Sequence, residues 1–166
     1  MPGLFLQASP PLLRFFPFFV IKEEERQVAA LKILVIDGQG GNLGRELVKL
    51  LLARLPQAKL RAVGTNSAAT ASMLKAGASE AATGENAVVV GSRWADVIVG
   101  PIGVVIADAL LGEVTPAMAA AVGSADAQRV LIPMSRCDTQ VAGVSELSTA
   151  ALLEDAAQRI LRLAEA

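Results

Sequence analysis

The sequence contains no histidine and no tyrosine, and it has one cysteine, Cys137, and one tryptophan, Trp94. Without histidine or tyrosine the chain cannot form a Ser-His-Asp triad, a histidine metal site or a tyrosine proton donor. A single cysteine excludes an intramolecular disulfide framework and a cysteine-rich zinc site. We therefore predict no metal, and we expect a cytoplasmic protein in a reducing compartment.

The chain also lacks an excess of either charge. Its 166 residues carry 15 basic and 16 acidic side chains, for a net charge of −1 at pH 7. A near-neutral chain without a basic run argues against nucleic acid as a partner. The length fits one domain that is large enough to bury a core.

Aromatic residues are confined to one end of the chain. All five phenylalanines lie within residues 5–19, and Trp94 is the one aromatic residue after them. A core built from aliphatic side chains would not draw all its phenylalanine from one terminus. The first 30 residues therefore differ in composition from the domain that follows.

Three interpretations of this first segment compete. A signal peptide needs an uninterrupted apolar run, but Arg14 and Pro17 break the run here. A membrane span needs ~20 apolar residues, far more than the stretch at residues 15–21 provides. We prefer the third interpretation, in which residues 1–30 are a non-native or disordered extension and residues 31–166 form the domain. No membrane partner is expected.

Short apolar runs alternate with helical patterns in the remainder of the chain. The apolar runs predict strands at residues 31–36, 59–64, 79–82, 96–99, 129–134 and 139–144. The helical patterns predict helices at residues 42–55, 67–76, 115–123 and 145–164. They also predict a helix at residues 83–93, capped by Thr83, and a helix that begins at Pro101 and includes the apolar run at residues 104–111. This alternation predicts a single α/β domain with a three-layer, doubly wound, mostly parallel sheet of the Rossmann-like kind.

A glycine loop follows the first predicted strand. Gly38, Gly41 and Gly44 are spaced three residues apart. Such glycines allow a tight turn and a close approach of a pyrophosphate to the N-terminus of the next helix. We predict a nucleotide site formed by Gly38, Gln39, Gly40, Gly41, Asn42, Leu43 and Gly44. In the alternative interpretation the glycines only pack the helix onto the sheet. The carboxylate of Asp37 would repel a pyrophosphate, and we expect it instead to accept hydrogen bonds from loop N–H groups and brace the turn.

The end of the second predicted strand bears on the choice of ligand. An NAD site usually has an acid about 20 residues after the glycine loop, to hold the ribose hydroxyls. No acid lies between Glu46 and Glu80; Thr65 and Asn66 end the strand instead, with the basic residues Arg61 and Lys75 near in sequence. We therefore favour NADP over NAD. Equally, Thr65 and Asn66 can serve only to cap the following helix.

A second glycine-containing loop joins a strand to a helix further along the chain. It is formed by Gly100, Pro101, Ile102 and Gly103. Together with the loop at residues 83–86, it leaves the carboxyl edge of the predicted parallel sheet, where ligands bind in such folds. We expect these loops and the first glycine loop to share one cleft, although each taken alone is more often a helix cap.

Few side chains are available for catalysis. Asp108 lies within the apolar run at residues 104–111, where helical spacing predicts partial burial and a raised pKa. It can equally pair with a base at a subunit interface. Asp108 and Glu85 are the preferred acid–base candidates; the others are Glu113, Lys75, Ser92, Arg93, Arg136, Cys137 and Asp138.

The apolar character of the predicted helices favours association of copies. Mean hydropathy is +0.50, and the runs at residues 104–111 and 117–122 are strongly apolar. The chain leaves no room for a separate substrate domain. We therefore predict a homo-oligomer.

Three long stretches resemble a family of small bacterial proteins known only as a domain of unknown function. They begin KILVIDGQGG, VGTNSAATAS and ADVIVGPIGV, and the segments GTN, TGEN, GPIG and GEVTP carry most of the resemblance. The resemblance implies a Rossmann-like fold and a domain start near Leu31, but no activity. The glycine loop is also similar to that of NmrA-like and extended short-chain dehydrogenase proteins, whose Tyr–Lys pair cannot exist here.

Two functions remain in view. In the first, the chain is a non-catalytic binding or sensor module for a nucleotide or another small phosphorylated ligand, with NADP favoured. In the second, it is a small enzyme that acts on a phosphorylated or carboxylated metabolite, with Asp108 or Glu85 as the acid–base group.

Overall fold

The computed structural model describes residues 30–134, 139–144 and 147–165. In these residues the strands are β1 (Lys32–Asp37), β2 (Lys59–Gly64), β3 (Glu80–Thr83), β4 (Val97–Pro101) and β5 (Gln128–Ile132). The α-helices are α1 (Asn42–Arg54), α2 (Ser67–Lys75), α3 (Glu85–Trp94), α4 (Pro116–Gly123) and α5 (Thr149–Ala164), and a short 3₁₀ helix (Ile102–Val105) follows β4.

The five strands form one parallel sheet in the order β3-β2-β1-β4-β5. Strands β1 and β4 are almost entirely buried, which explains their continuous apolar sequences. The chain adds strands first to one side of β1 and then to the other, so the order reverses between β1 and β4. The predicted doubly wound α/β fold is confirmed.

Helices cover both faces of the sheet. On one face, α1, α2 and α5 pack against the side chains of alternate strand residues such as Ile33 and Val35. On the other face, α3, α4 and the 3₁₀ helix pack against the intervening residues, including Leu34 and Ile36. The alternation follows from the two-residue period of a strand, and it gives three layers.

Two glycines of the first loop allow α1 and α2 to approach closely. A Cβ atom at Gly41 would lie 2.6 Å from the Cα atom of Ala69 in α2, and one at Gly44 would lie 2.6 Å from the sulfur of Met73. Gly41 also has a φ of 68°, which disfavours other residues. Helix packing is therefore a definite role of this loop.

The structure differs from the sequence predictions at three places. Residues 106–113 form turns rather than a helix, so the prediction of a helix across 104–111 was wrong. Residues 139–144 form no strand. Thr83 ends β3, and Gly84, not Thr83, occupies the N-cap of α3. In the first case the apolar run belongs to an irregular segment in which only Val104 is fully buried, and an apolar run by itself does not distinguish such a segment from a short helix.

The predicted extension at residues 1–30 lies, except for its last residue, outside the described residues, and the domain boundary at Leu31 stays a prediction. In the described part of the chain, no helix combines the length and the apolarity needed to cross a membrane.

Strands β1 and β4 lie close together at Gly100, where glycine places no side chain between them. A Cβ atom there would collide with the carbonyl oxygen of Ile36 in β1. We expect Gly100→Ala to destabilise the fold by about 1–3 kcal/mol, because backbone atoms must move to accept the methyl group. The denaturant midpoint of the purified full chain measures this effect.

Gly123→Ala is the matched control, since a Cβ atom at this exposed end of α4 meets nothing within 4 Å. It should leave the midpoint unchanged or raise stability by up to about 1 kcal/mol through helix propensity. Equal losses in the two variants would contradict the steric explanation.

Candidate functional site

The candidate site lies at the carboxyl edge of the sheet, where the strand order reverses between β1 and β4. Ligands of open α/β sheets bind at this edge because the loops on either side diverge. The loop after β1 (residues 38–41) and the 3₁₀ helix after β4 (residues 102–105) leave from adjacent strands at the same edge of the sheet. Gly100 itself is buried in the sheet and serves the contact between strands.

Asp37, the last residue of β1, holds the turn into α1. One carboxylate oxygen accepts a hydrogen bond from the N–H of Gly38 at 2.8 Å, and the other accepts from the N–H of Gly44 at 2.6 Å. Burial raises the pKa of Asp37 above its ordinary value, although the N–H bonds oppose this rise. The bracing role expected from the sequence is thus present.

The glycine loop leaves further N–H groups at the start of α1. Gly41 is the N-cap residue, and its own N–H donates to the carbonyl oxygen of Gly38 at 2.9 Å. Within the described chain, the N–H groups of Gly40 and Asn42 have no hydrogen-bond partner, and both residues are exposed. No acidic side chain lies in the first turn of α1. This helix start can therefore accept an anion.

A carboxylate from a distant part of the chain lies against the same loop. Oε2 of Glu113 accepts hydrogen bonds from the N–H of Gln39 at 2.8 Å, from Oγ1 of Thr65 at 2.5 Å and from Nδ2 of Asn66 at 2.9 Å. We call these three donor groups the cradle. They converge on one oxygen atom at the adjoining ends of β1 and β2.

The cradle favours the ionised form of Glu113. Partial burial alone would raise the pKa of Glu113, but the hydrogen bonds from Gln39, Thr65 and Asn66 outweigh burial and hold the pKa below its ordinary value. Thr65 and Asn66 were predicted as ligand-binding residues, and they bind an oxyanion supplied by the chain itself. Asn66 also caps α2 by accepting from the N–H of Ala69 at 2.9 Å.

Glu113 belongs to an irregular segment, residues 106–114, which we call the strap. Asp108, Leu110 and Leu111 have φ values of 62°, 56° and 62°. Left-handed backbone is unusual for such residues and costs about 1–2 kcal/mol each. The strap is held internally by bonds of 2.7 Å from the N–H of Asp108 to the oxygen of Val114 and 3.2 Å from the N–H of Val114 to the oxygen of Ala109.

The strap lies directly over Gly38. A Cβ atom at Gly38 would be 2.7 Å from Oε2 of Glu113 and 2.7 Å from Cδ1 of Leu110. Gly38 is consequently buried, whereas Gln39 and Gly40 are exposed. Part of the predicted nucleotide loop is thus covered by the chain itself.

The basic residues considered for a 2′-phosphate lie elsewhere. Arg61 pairs with Glu80 at 2.8 Å, and its guanidinium lies 4.2 Å from the ring centre of Trp94. Lys75 ends α2, which runs from the carboxyl edge toward the opposite edge of the sheet. Neither residue joins Thr65 and Asn66 at the end of β2; a carboxylate occupies that place instead.

Asp108 and Glu85, the two preferred acid–base candidates, both lie at the carboxyl edge of the sheet, but their surroundings differ from those expected. Asp108 is exposed in a turn of the strap, so the prediction of a partly buried helical position was wrong. Glu85 is exposed in the first turn of α3, and its Oε2 accepts from Oγ1 of Thr115 at 2.5 Å. Thr115 is the N-cap residue of α4, as predicted, so this bond links two helix starts.

The other candidates do not join this site. Ser92 and Arg93, near the end of α3, line a groove with Asp126 at the opposite edge of the sheet. Arg136, Cys137 and Asp138 lie outside the described residues. No cluster of metal-ligating side chains occurs in the residues that the structure describes.

Sequence reasoning missed the position of Glu113, although it named the residue as a candidate. The search for an acid was confined to the stretch after the glycine loop, whereas Glu113 is 74 residues beyond Gln39. The GEVTP segment, which contains Glu113 and the helix cap Thr115, was the one available signal.

Comparison with known proteins supplies a family. The family model described as Domain of unknown function (DUF3842) matches residues 32–165, in agreement with the resemblance drawn from the sequence. No curated protein matches the chain. One solved structure that resembles it is the crystal structure of a dodecameric FMN-dependent UbiX-like decarboxylase from Escherichia coli O157:H7. The TM-score is 0.41 at 17% identity, over 78% of this chain and 76% of that chain, a likeness too weak to carry a ligand or an activity across.

The bracing of the glycine loop can be tested at Asp37. Asp37→Asn keeps the size of the side chain but turns an NH2 group toward one of the two N–H donors. We expect a loss of about 1–3 kcal/mol, because a buried donor then has no acceptor. Thermal unfolding of the full chain measures this change.

Asp96→Asn is the matched control. Asp96 is exposed, and one of its oxygens accepts from the N–H of Lys32 at 2.8 Å. An asparagine can keep that bond by turning its oxygen toward the donor, so the change should stay within about 0.5 kcal/mol. If Asp37→Asn were equally mild, the brace would not hold the loop.

Proposed function

The chain belongs to the family described as Domain of unknown function (DUF3842), and from that premise we propose that it binds a nucleotide or dinucleotide at the glycine loop, Gly38 to Gly44. In this proposal the chain acts as a non-catalytic binding or sensor module. The ligand's phosphate lies at the start of α1. The flanking walls are formed by Thr65–Asn66 and by the segment Gly100–Gly103, in which β4 ends and the 3₁₀ helix begins.

The cradle carries this proposal. Three donors from Gln39, Thr65 and Asn66 already hold an oxyanion, the Glu113 carboxylate, beside the N-terminus of α1. A phosphate oxygen has the same hydrogen-bond requirement as a carboxylate oxygen: it accepts and does not donate. The cradle therefore has the chemistry that a phosphorylated ligand needs.

Among phosphorylated ligands, a nucleotide is favoured by the position of the cradle. It adjoins the reversal of strand order, and the N–H groups of Gly40 and Asn42, which have no partner in the described chain, extend the row of donors along the start of α1. A phosphate chain can use both sets of donors, since the helix dipole adds a favourable potential at this end.

The choice between NADP and NAD depends on Glu113. The preference for NADP rested on the lack of an acid after β2, and the Glu113 carboxylate now lies at that strand end. With Glu113 in place, a 2′-phosphate would meet a like charge; with Glu113 displaced, Thr65 and Asn66 would face it. A ligand whose phosphates use the cradle must displace Glu113 in any case, and once Glu113 has moved, Thr65 and Asn66 can face the 2′-phosphate of NADP.

The geometry supports binding more directly than catalysis. In the alternative function, a small enzyme uses Asp108 or Glu85 as acid or base. Asp108 is exposed on the strap, and Glu85 is engaged with Thr115. Neither side chain is buried in the way that tunes a carboxyl group for proton transfer.

We also propose that the protein is a cytoplasmic homo-oligomer. Val90 on α3 is 49% exposed, and the neighbouring helix α4 exposes Ala117 and Ala120. These apolar side chains on two adjacent helices suit contact with a second copy. The mass of the purified protein in solution tests this proposal.

Nucleotide binding can be tested by thermal shift with NADP(H), NAD(H), ATP, coenzyme A and sugar phosphates. A ligand at 100 times its dissociation constant stabilises the fold by about 2.7 kcal/mol. The melting temperature should then rise by roughly 2–4 °C per kcal/mol. No shift with any compound of the panel, in wild type or in the Glu113→Ala variant, would refute the proposal.

The variant Asn66→Asp tests the location. Its carboxylate keeps the oxygen that caps α2 but replaces the Nδ2 donor of the cradle with a negative charge, so the shift should disappear. Gln128→Glu adds the same charge at the exposed start of β5, on the opposite edge of the sheet, and should keep the shift. Loss in both variants would indicate a general charge effect instead.

A further inference from the structure

We propose that the strap, residues 106–114, is an internal competitor of the ligand. In the structure described here it closes the site, with the Glu113 carboxylate in the position of a ligand anion; a phosphorylated ligand binds by displacing it. This inference rests on the proposed function and names how that site is regulated.

The first observation is that ligand and strap need the same donors. The N–H of Gln39, the hydroxyl of Thr65 and the amide of Asn66 all donate to one oxygen of Glu113. Each of these hydrogen atoms can serve one strong acceptor at a time. A phosphate that uses the cradle must therefore remove Glu113 from it, and the two negative charges repel each other at such short range.

The second observation is the cover over the loop. Gly38, which a nucleotide must approach if it follows the glycine loop, is buried beneath Leu110 and Glu113. The space that even a methyl group at Gly38 would need is filled by these side chains. A ligand cannot contact this part of the loop while the strap is in place.

The strap is attached in a manner that allows it to move. Its five internal backbone hydrogen bonds connect its own residues, and Leu111 at its tip is 96% exposed. The chain is fixed in the core on both sides, at Val104, two residues before the strap, and at Val114, its last residue, which are 2% and 1% exposed. The middle of the strap is held by the Glu113 bonds and by Ala109 and Leu110, which are only partly buried against the core, so its displacement leaves the fully buried core residues in place.

The chemistry of displacement selects the ligand. Glu113 brings one negative charge and three hydrogen bonds, so a competitor must bring more. A phosphoryl group with two charges and several acceptor oxygens does so, and it can also use the start of α1. A single carboxylate has no such advantage, so a diphosphate should bind and a simple monocarboxylate should not.

The far end of the strap connects the site to two helices. Thr115 directly follows Val114, caps α4 and donates to Glu85 at the start of α3. The strap thus ends one residue before the junction of α3 and α4.

Two variants of Glu113 test the competition by calorimetric titration of the full chain with inorganic pyrophosphate and with ADP. Glu113→Ala removes the competing side chain, and Glu113→Gln removes only its charge. The apparent affinity equals the affinity of the open state multiplied by the fraction of molecules that are open. If one molecule in ten is open, we expect Glu113→Ala to bind about tenfold tighter than wild type, with Glu113→Gln between the two.

Glu80→Gln is the matched control, because Glu80 is an exposed carboxylate that pairs with Arg61 away from the cradle. Its dissociation constants should equal those of wild type. Acetate is the ligand control for wild type, and no heat of binding is expected with it.

Hydrogen exchange of the wild-type protein distinguishes displacement of the strap from a purely structural role of Glu113. With saturating pyrophosphate, exchange should slow at the amides of Gly40 and Asn42. It should become faster at the amides of Asp108 and Val114 in the strap. Slower exchange throughout would mean that the ligand binds on top of a closed strap, and it would overturn the inference.

The outcomes separate the two proposals. If neither probe binds to wild type or to any variant, the proposed function fails, and this inference fails with it. If wild type binds and the Glu113 variants bind equally or more weakly, nucleotide binding stands and the competitor is refuted; weaker binding would make Glu113 a direct ligand contact. Tighter binding in Glu113→Ala, or binding in that variant alone, supports both proposals.

Discussion

The two hydrogen bonds of the buried Asp37 carboxylate fix the geometry of the whole carboxyl edge. They join the end of β1 to the first turn of α1, across the glycine loop. Because the loop is held at both ends, Gln39 presents its N–H outward and Gly41 contacts α2 at a fixed place. The position of α2 in turn sets Asn66, its cap, beside Gln39. The cradle is therefore a consequence of the brace.

Negative charge is placed on both sides of this loop. Asp37 lies beneath it and Glu113 lies above it, and the proximity of Glu113 contributes to the raised pKa of Asp37. The N–H groups of Gly38, Gln39 and Gly44 are thus satisfied by the chain's own acids, whereas those of Gly40 and Asn42 are open in the described structure. A loop that needs two acids to neutralise its donors has a strong attraction for anions, which is the physical basis for proposing a phosphate there.

Much of the fold could be predicted from the sequence, because its signals are local. Buried parallel strands have continuous apolar runs, and Thr115-Pro116 marks a helix start by its own chemistry. The strap could not be predicted in this way, since its apolar residues follow neither a helical nor a strand conformation. The contact of Glu113 with Gln39 could not be predicted either, because nothing in the spacing of residues along the chain specifies a bond formed by tertiary folding. The expected site residues Thr65 and Asn66 are adjacent to the glycine loop; Arg61 and Lys75 are not.

The edge strand β3 limits how copies of the chain can assemble. It is only four residues long, most of its residues are exposed, and its first residue, Glu80, carries a charge paired with Arg61 of the neighbouring strand. Short, polar edge strands are poor templates for sheet extension. Copies joined through this edge would need to bury the Glu80 carboxylate, so growth of a continuous intermolecular sheet from β3 is disfavoured. Assembly through helix faces instead permits closed, symmetric particles of limited size.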